Sequence, residues 1–296
     1  MASLKEVRNR IVSVNSTKQI TAAMKMVSAA KLRRAQDAIV RMRPYAEKLQ
    51  AILGNVSASL DSTEGKFSQQ REVKNVLFVA IVSNRGLAGA FNSQVFRAIR
   101  RSTAEAEAAG HRVTVLPVGK KAMDAYRKTA YFDPALPTDL AKLFDGLNFD
   151  GAAPVAELIM DRFADGTYDQ VVLFYNKFKN AAVQIICTEP YLPIQAAAET
   201  DEKAGTSGSK TDHIMEPDRR TIVDEIIPKS LKIQFYKALL DSNAAEHGAR
   251  MTAMHKATDN ADALLKELKL SYNKARQASI TNEILEIVGG AEALKG

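Results

Sequence analysis

The residues best arranged for chemistry stand in the turn Ser83-Asn84-Arg85-Gly86-Leu87-Ala88-Gly89, directly after the apolar run VLFVAIV at 76–82. A glycine-rich turn between a buried strand and a helix can hold a nucleotide phosphate, because backbone N–H groups there approach an anion closely. A dinucleotide fingerprint needs GxGxxG, and this turn keeps only GxxG, from Gly86 to Gly89. The spacing therefore predicts a tight strand-to-helix turn. Gly119-Lys120-Lys121 has the ending of a phosphate loop, but GxxxxGK[ST] would put Gly where Thr114 stands and Ser or Thr where Lys121 stands. It reads as a helix start with solvated lysines. His111, His213, His247 and His255 are scattered, and the last two are eight residues apart, too far to chelate one ion. Cys187 is the only cysteine, which excludes an intramolecular disulfide and fits a reducing compartment. In QIICTE it reads as a small apolar strand residue. No GxSxG, HExxH or paired-carboxylate constellation occurs in the chain. The expectation is no catalytic residue, no metal ligand and no cofactor, hence no enzyme by itself.

The elements that carry these residues are legible from periodicity. Leu4, Val7, Ile11 and Val14 follow heptad steps, the phase then slips to Ile20, Met24 and Val27, and a clean run follows from Ala35 through Ile39, Met42, Ala46, Leu49, Leu53 and Val56 to Leu60. Alternating steps of three and four mark the narrow seam of a coiled coil, and the slip predicts a local change of supercoil. Pro44 removes a helical hydrogen bond inside the second run. At the other end, Met251, Met254, Thr258, Ala261, Leu265, Leu268, Tyr272, Ala275 and Ser279 repeat the pattern. About sixty such residues at about 1.5 Å each would make a rod of about 90 Å. Two narrow seams at opposite ends of one chain pair most simply with each other, antiparallel; the alternative is that each pairs with another chain.

Between them, VTVLPV at 113–118, QVVLFY at 170–175 and a strand at 183–187 alternate with helices near 90–109, 120–128 and 153–164. Strands alternating with helices imply a doubly wound sheet. The predicted fold is α/β: a long antiparallel coiled coil of the N- and C-terminal helices plus a Rossmann-like α/β domain. The predicted divisions are a coiled-coil helix at 1–62, the α/β domain at 73–195, a flexible Gly/Ser-rich insertion at 196–220 and a second coiled-coil helix at 221–296.

Charge narrows the partners. The chain has 296 residues and a net charge of +7, but residues 1–60 carry eleven Lys or Arg against three acids. Such a helix seeks an acidic protein, nucleic acid or an anionic membrane surface. No apolar run approaches the ~18–20 residues that span a bilayer.

Four stretches resemble one family. They are QITAAMKMVSAAKL at 19–32, SNRGLAGAFN at 83–92, EHGARMTAMHKATDNA at 246–261 and YNKARQASITNEILEIVGGAEAL at 272–294. In this order they look like the gamma subunits of F-type ATP synthases, over the whole chain except 196–213. The resemblance implies a central stalk, or rotor, that couples proton-driven rotation of a c-subunit ring to ATP synthesis and hydrolysis. Its partners would be the alpha and beta subunits of the catalytic ring, the epsilon subunit and the c ring, with no nucleic acid and no direct membrane insertion. The implied location is peripheral, on the cytoplasmic face of a bacterial inner membrane. Met24 and Lys25 fall where the shaft meets beta-subunit loops. Arg276 and Gln277 match a pair that hydrogen-bonds a beta loop, with Thr281 and Glu283 close by. Ile284, Leu285, Ile287 and Val288 match an apolar tip turning in a hydrophobic sleeve. Glu216 matches a foot residue facing the c ring and epsilon, although His213 and Met215 stand where the family usually has tyrosines. Plant-plastid members carry a regulatory cysteine pair, which a chain with Cys187 alone lacks.

Overall fold

A computed structural model of the chain describes residues 4–57, 66–194 and 219–293. The elements are α1 (Leu4–Ser57), β1 (Asn75–Ile81), α2 (Phe91–Ala108), β2 (Arg112–Val118), α3 (Lys120–Tyr126), a 3-10 turn (Leu140–Phe144), α4 (Phe149–Ala164), β3 (Gln170–Phe178), β4 (Gln184–Leu192) and α5 (Arg219–Ala293). They form two compact units, residues 30–249 and residues 1–29 with 250–296.

In the first unit the sheet order is β2-β1-β3-β4. β1 lies parallel to both β2 and β3, and β4 runs antiparallel to β3. The apolar run of β1 reflects burial on both faces. Leu77, Val79 and Ile81 join one core with α4, while Val76, Phe78 and Ala80 join the other with α2. The helices show matching stripes: Val95, Ile99 and Thr103 on α2, and Val155, Ala156, Ile159, Met160 and Phe163 on α4. α4 starts before the expected residue 153 because Asn148 caps it, its Oδ1 accepting from Gly151 N at 2.8 Å.

The glycine-bearing turn after β1 uses up its own polar groups. Ser83 N donates to Asn92 Oδ1 (3.1 Å) and Ser83 Oγ donates to Arg85 O (2.7 Å). Asn84 Nδ2 donates to Ala141 O (2.7 Å), and Asn84 Oδ1 accepts from Lys120 N (3.0 Å). Gly119, at φ 105°, must lack a side chain, since a Cβ there would lie 2.2 Å from Val82 O. Both glycine-bearing segments thus knit the ends of β1 and β2 to the helices that follow.

The long helix α5 belongs to this unit through its first half. Leu231, Phe235, Ala238 and Leu239 are members of the core that holds β1, β3 and α4. Polar contacts fix the same stretch. Tyr191 OH donates to Leu231 O at 3.0 Å, Gln234 Nε2 donates to Glu189 Oε1 at 2.7 Å, and Lys232 pairs with Glu157 of α4. Tyr175 OH also donates to Glu189, and burial holds its phenol far above the usual tyrosine range. Further on, Ala245 and Ala249 pack with Ala88, Phe91 and Phe178. From Ala238 to Arg250 only Asn243 and His247 are not fully buried. A helix covered on nearly every side is a core element. Asp241 lies within it, and burial raises its carboxyl above the ordinary range.

The second unit is a two-helix coil. Three polar pairs, at residues 18 and 262, 21 and 258, and 25 and 255, run in opposite directions along the two helices. The pairing is therefore intrachain and antiparallel. On α5 every residue of the predicted seam, from Met251 to Ser279, is buried or half-buried. On α1 the predicted slip does not occur. Ile20 and Val27 are 59% and 57% exposed, whereas Lys18, Thr21, Lys25 and Ser28 are half-buried or buried. With these included, the steps of three and four run unbroken from Leu4 to Leu49. The seam changes chemistry in its middle rather than phase, and a search for apolar residues alone slides one residue off it. α1 also continues through Pro44, and α5 through Pro228 and Gly289-Gly290.

Phe235 is fully buried, so Phe235→Ala should lower the stability of the α/β unit by about 3–5 kcal/mol. Guanidinium unfolding of the full chain, followed by tyrosine fluorescence, measures this.

Candidate functional site

Three surface features of the coil unit are candidates for a site, and each follows from where the seam goes. The first is the polar middle of the seam. Lys18 Nζ contacts Asp262 Oδ1 at 2.5 Å, and Lys266, one turn along α5, stands 3.6 Å from the same carboxylate. The Lys18 hydrogen bond and charge hold the Asp262 carboxyl below the usual range. Thr258 Oγ1 lies 2.8 Å from Thr21 Oγ1, and Lys25 Nζ lies 3.4 Å from His255 Nδ1. Polar residues at seam positions fix register and orientation at some cost in stability, because only one alignment pairs them all.

The second feature is apolar surface turned away from the seam. Val12, Ile20, Met26 and Val27 on α1 and Leu270 on α5 are all more than half exposed. The third is the end of α5. Partners across the coil sum to 279 or 280 in residue number, so Leu4, the first described residue of α1, falls level with residue 275 or 276. From Ile280 to Glu292 every described side chain is exposed. Ile280, Ile284, Ile287 and Val288 share one helical face, with Leu285 beside them. Among the described residues no group of His, Cys, Asp and Glu could hold a metal ion, and no helix is long and apolar enough to cross a membrane.

A protein-family model described as ATP synthase matches residues 3–294. An ATP synthase gamma chain of Flavobacterium psychrophilum is 56% identical over 297 residues, covering all of both chains. This chain belongs to the ATP synthase gamma-chain family. A gamma chain of Chlorobium phaeobacteroides is 45% identical, again over the full length of both. Among solved structures, the rotor of the Euglena gracilis mitochondrial ATP synthase aligns with 94% of this chain and 98% of its own, with TM-score 0.65 and 22% identity. The central stalk and c-ring structure of the Tetrahymena thermophila enzyme aligns with 80% of this chain at TM-score 0.54 and 25% identity. The gamma-chain fold expected from the sequence, two long terminal helices packed together with an α/β domain between them in the chain, is the fold observed.

Against that family, the residues singled out in the sequence fall in two places. Met24 and Lys25 are half-buried on α1, and Lys25 is engaged with His255. Arg276, Gln277, Thr281, Glu283, Ile284, Leu285, Ile287 and Val288 all lie exposed on the far end of α5. Thr281 Oγ1 donates to Gln277 O at 2.9 Å, and Ser279 Oγ donates to Glu283 Oε1 at 3.3 Å, so both polar side chains have local partners within the helix. Glu216 lies outside the described residues. The polar seam of Lys18, Thr21, Lys25 and Ser28 escaped the sequence reading. The signal was present: strictly alternating steps of three and four, continued from Ile11 and Val14, reach Leu32 only through those four positions.

Two outcomes test this geometry. Leu265 is 6% exposed in the seam and Ile20 is 59% exposed outside it. Leu265→Ala should cost about 2–5 kcal/mol in thermal unfolding of the full chain, and Ile20→Ala no more than about 0.5 kcal/mol. The second concerns acid. The folded Asp262 carboxyl is depressed, so its contribution is present above the unfolded carboxylate value and vanishes as pH falls through the folded one. A carboxyl-carbon NMR titration should place its midpoint below that of an ordinary aspartate, and Lys18→Met should raise it toward that value, with Lys266 still beside the carboxylate. An unshifted midpoint in the wild-type chain contradicts the pairing.

Proposed function

We infer that this gamma chain does its work mechanically, by differential contact. It is the central-stalk rotor subunit of an F-type ATP synthase, coupling rotation to ATP synthesis and hydrolysis. Within that complex we assign it no bond-making residue: catalysis belongs to the beta subunits, and this chain sets their conformations. The observation that carries the reading is the passage of α5 from encased at 238–250, through a half-buried seam, to bare at 280–292. Large apolar surface left uncovered marks a contact with something else.

The partners of this reading are the alpha and beta subunits around the coil, and epsilon and the c ring at the α/β foot. A symmetric axle in a ring of alternating alpha and beta subunits would leave the three beta sites equivalent. A coil basic on α1 and single-helical at its end touches each beta subunit differently. A ligand or contact shifts an equilibrium only by its differential affinity for the two states. Rotation carries the unequal contacts from one beta subunit to the next, and each nucleotide site changes affinity in turn. Met24 and Lys25 meet beta loops midway. Arg276 and Gln277, with Thr281 and Glu283, offer hydrogen-bonding groups to a beta loop near the bore. Ile284, Leu285, Ile287 and Val288 turn in an apolar sleeve that gives no directional bonds and so little friction. Residues 73–195 serve as the foot, and Glu216 in the segment after it faces the c ring. The protein is then peripheral, at the cytoplasmic face of a bacterial inner membrane.

Reconstitution with alpha and beta subunits tests the reading. One copy per hexameric ring is expected by native mass measurement. Arg276→Ala combined with Gln277→Ala should lower ATP turnover about tenfold, the size of losing about 1.4 kcal/mol of hydrogen bonding at the coupling contact. Thermal unfolding of the free chain should stay unchanged. Wild-type turnover in the double variant rejects the role given to this pair.

A further inference from the structure

His255 has two neighbours that compete for one nitrogen. Lys25 Nζ approaches its Nδ1 to 3.4 Å from across the coil. Asp259 Oδ2 approaches the same Nδ1 to 3.5 Å from one turn further along α5. An ammonium can only donate and a carboxylate can only accept. To receive a hydrogen from Lys25, Nδ1 must carry none, so the ring is neutral with its proton on Nε2. To serve Asp259, Nδ1 must carry a proton. The imidazolium always carries one there, and it also faces the Lys25 ammonium with a like charge.

We propose that His255 is a proton-operated tie between the two helices of the coil. Neutral, it holds Lys25 across the seam. On taking one proton from solvent at Nδ1, it releases Lys25 and turns to Asp259 within its own helix. The other charges that face the ring do not remove the competition. On α1 the next cation along the seam is Lys18, already held by Asp262. On α5, Lys256 is adjacent in sequence, and Asp262 is shared between Lys18 and Lys266. The uncharged Thr21–Thr258 pair separates the two charged layers.

Release is local. The Lys18–Asp262 pair and the buried Leu265 keep the register below it. What changes is Lys25, which moves from an intramolecular acceptor to solvent. The ammonium then loses its acceptor in the coil, on the most basic helix of the chain. The inference concerns the free chain and does not depend on Lys25 meeting a beta subunit.

NMR of the full chain, labelled in its histidine rings, reads the tie directly. The His255 signal is the one lost in His255→Gln. Compared with the wild-type chain, the midpoint of this signal should move to higher pH in Lys25→Met, which removes a like charge, and to lower pH in Asp259→Asn, which removes an opposite one. The His255 and Asp259 side chains are 57% and 64% exposed, so the changes leave the core untouched. Nitrogen chemical shifts above pH 8 should show the Nε2-protonated tautomer in the wild-type chain and a tautomer mixture in Lys25→Met. The proposal requires both midpoint shifts in these opposite senses; the absence or reversal of either overturns it.

Discussion

Leu231, Phe235, Ala238 and Leu239 of α5 are core residues of the sheet domain, and the same helix runs on without a break to Ala293. Every mechanical property of the chain depends on that shared membership. Full burial of a large apolar side chain is worth about 1.5–3 kcal/mol, so Leu231, Phe235 and Leu239 anchor the helix far more firmly than surface pairs could. The polar contacts of Tyr191, Gln234 and Lys232 add direction to that grip, fixing rotation about the helix axis as well as position along it. A helix held only by a greasy stripe could roll. One whose turns are also pinned by hydrogen bonds to β4 and an ion pair to α4 turns with its domain.

The coil solves a different problem. A seam of Leu and Ile alone would bind more tightly but would tolerate a shift by a heptad. Placing Lys18, Thr21 and Lys25 at seam positions weakens the interface and removes that freedom, because each has its cross-coil partner in only one alignment, while Ser28 donates to Met24 O within its own helix.

Much of this was readable in the residues themselves. β1, β2 and β3 stood out because strands buried on both faces are uninterrupted apolar runs. The α5 seam was fully legible since its nine positions stay apolar or small over four heptads. The α1 seam was misread between Val14 and Leu32 for the reason just given: its polar residues carry specificity rather than hydrophobicity, and Ile20 and Val27, which look like seam, face outward. The start of α4 was missed because its first turn is set by a capping amide, a local hydrogen bond invisible to periodicity. The antiparallel sense of β4 was not legible either, since strand direction depends on a partner distant in sequence. The roles expected of the apolar tip, as of Arg276 and Gln277, came only from likeness to a family, since no periodicity or spacing within the chain marks which exposed residues meet another subunit.

The bare end of α5 has a consequence for the chain in isolation. Helices shorter than about 12–15 residues are marginal in water when nothing packs against them, and adjacent glycines cost about 1 kcal/mol each relative to alanine. The stretch from Ile280 to Ala293 continues a longer helix and so is spared nucleation, but its described side chains are exposed and Gly289-Gly290 lie inside it, so its helix is weak. Outside an assembly it will fray and re-form, which lets a protease that needs an unwound substrate trim it. If this tip turns inside the ring as proposed, it is shielded there, and the rate at which it is nibbled away gauges whether a given molecule has been built into its machine.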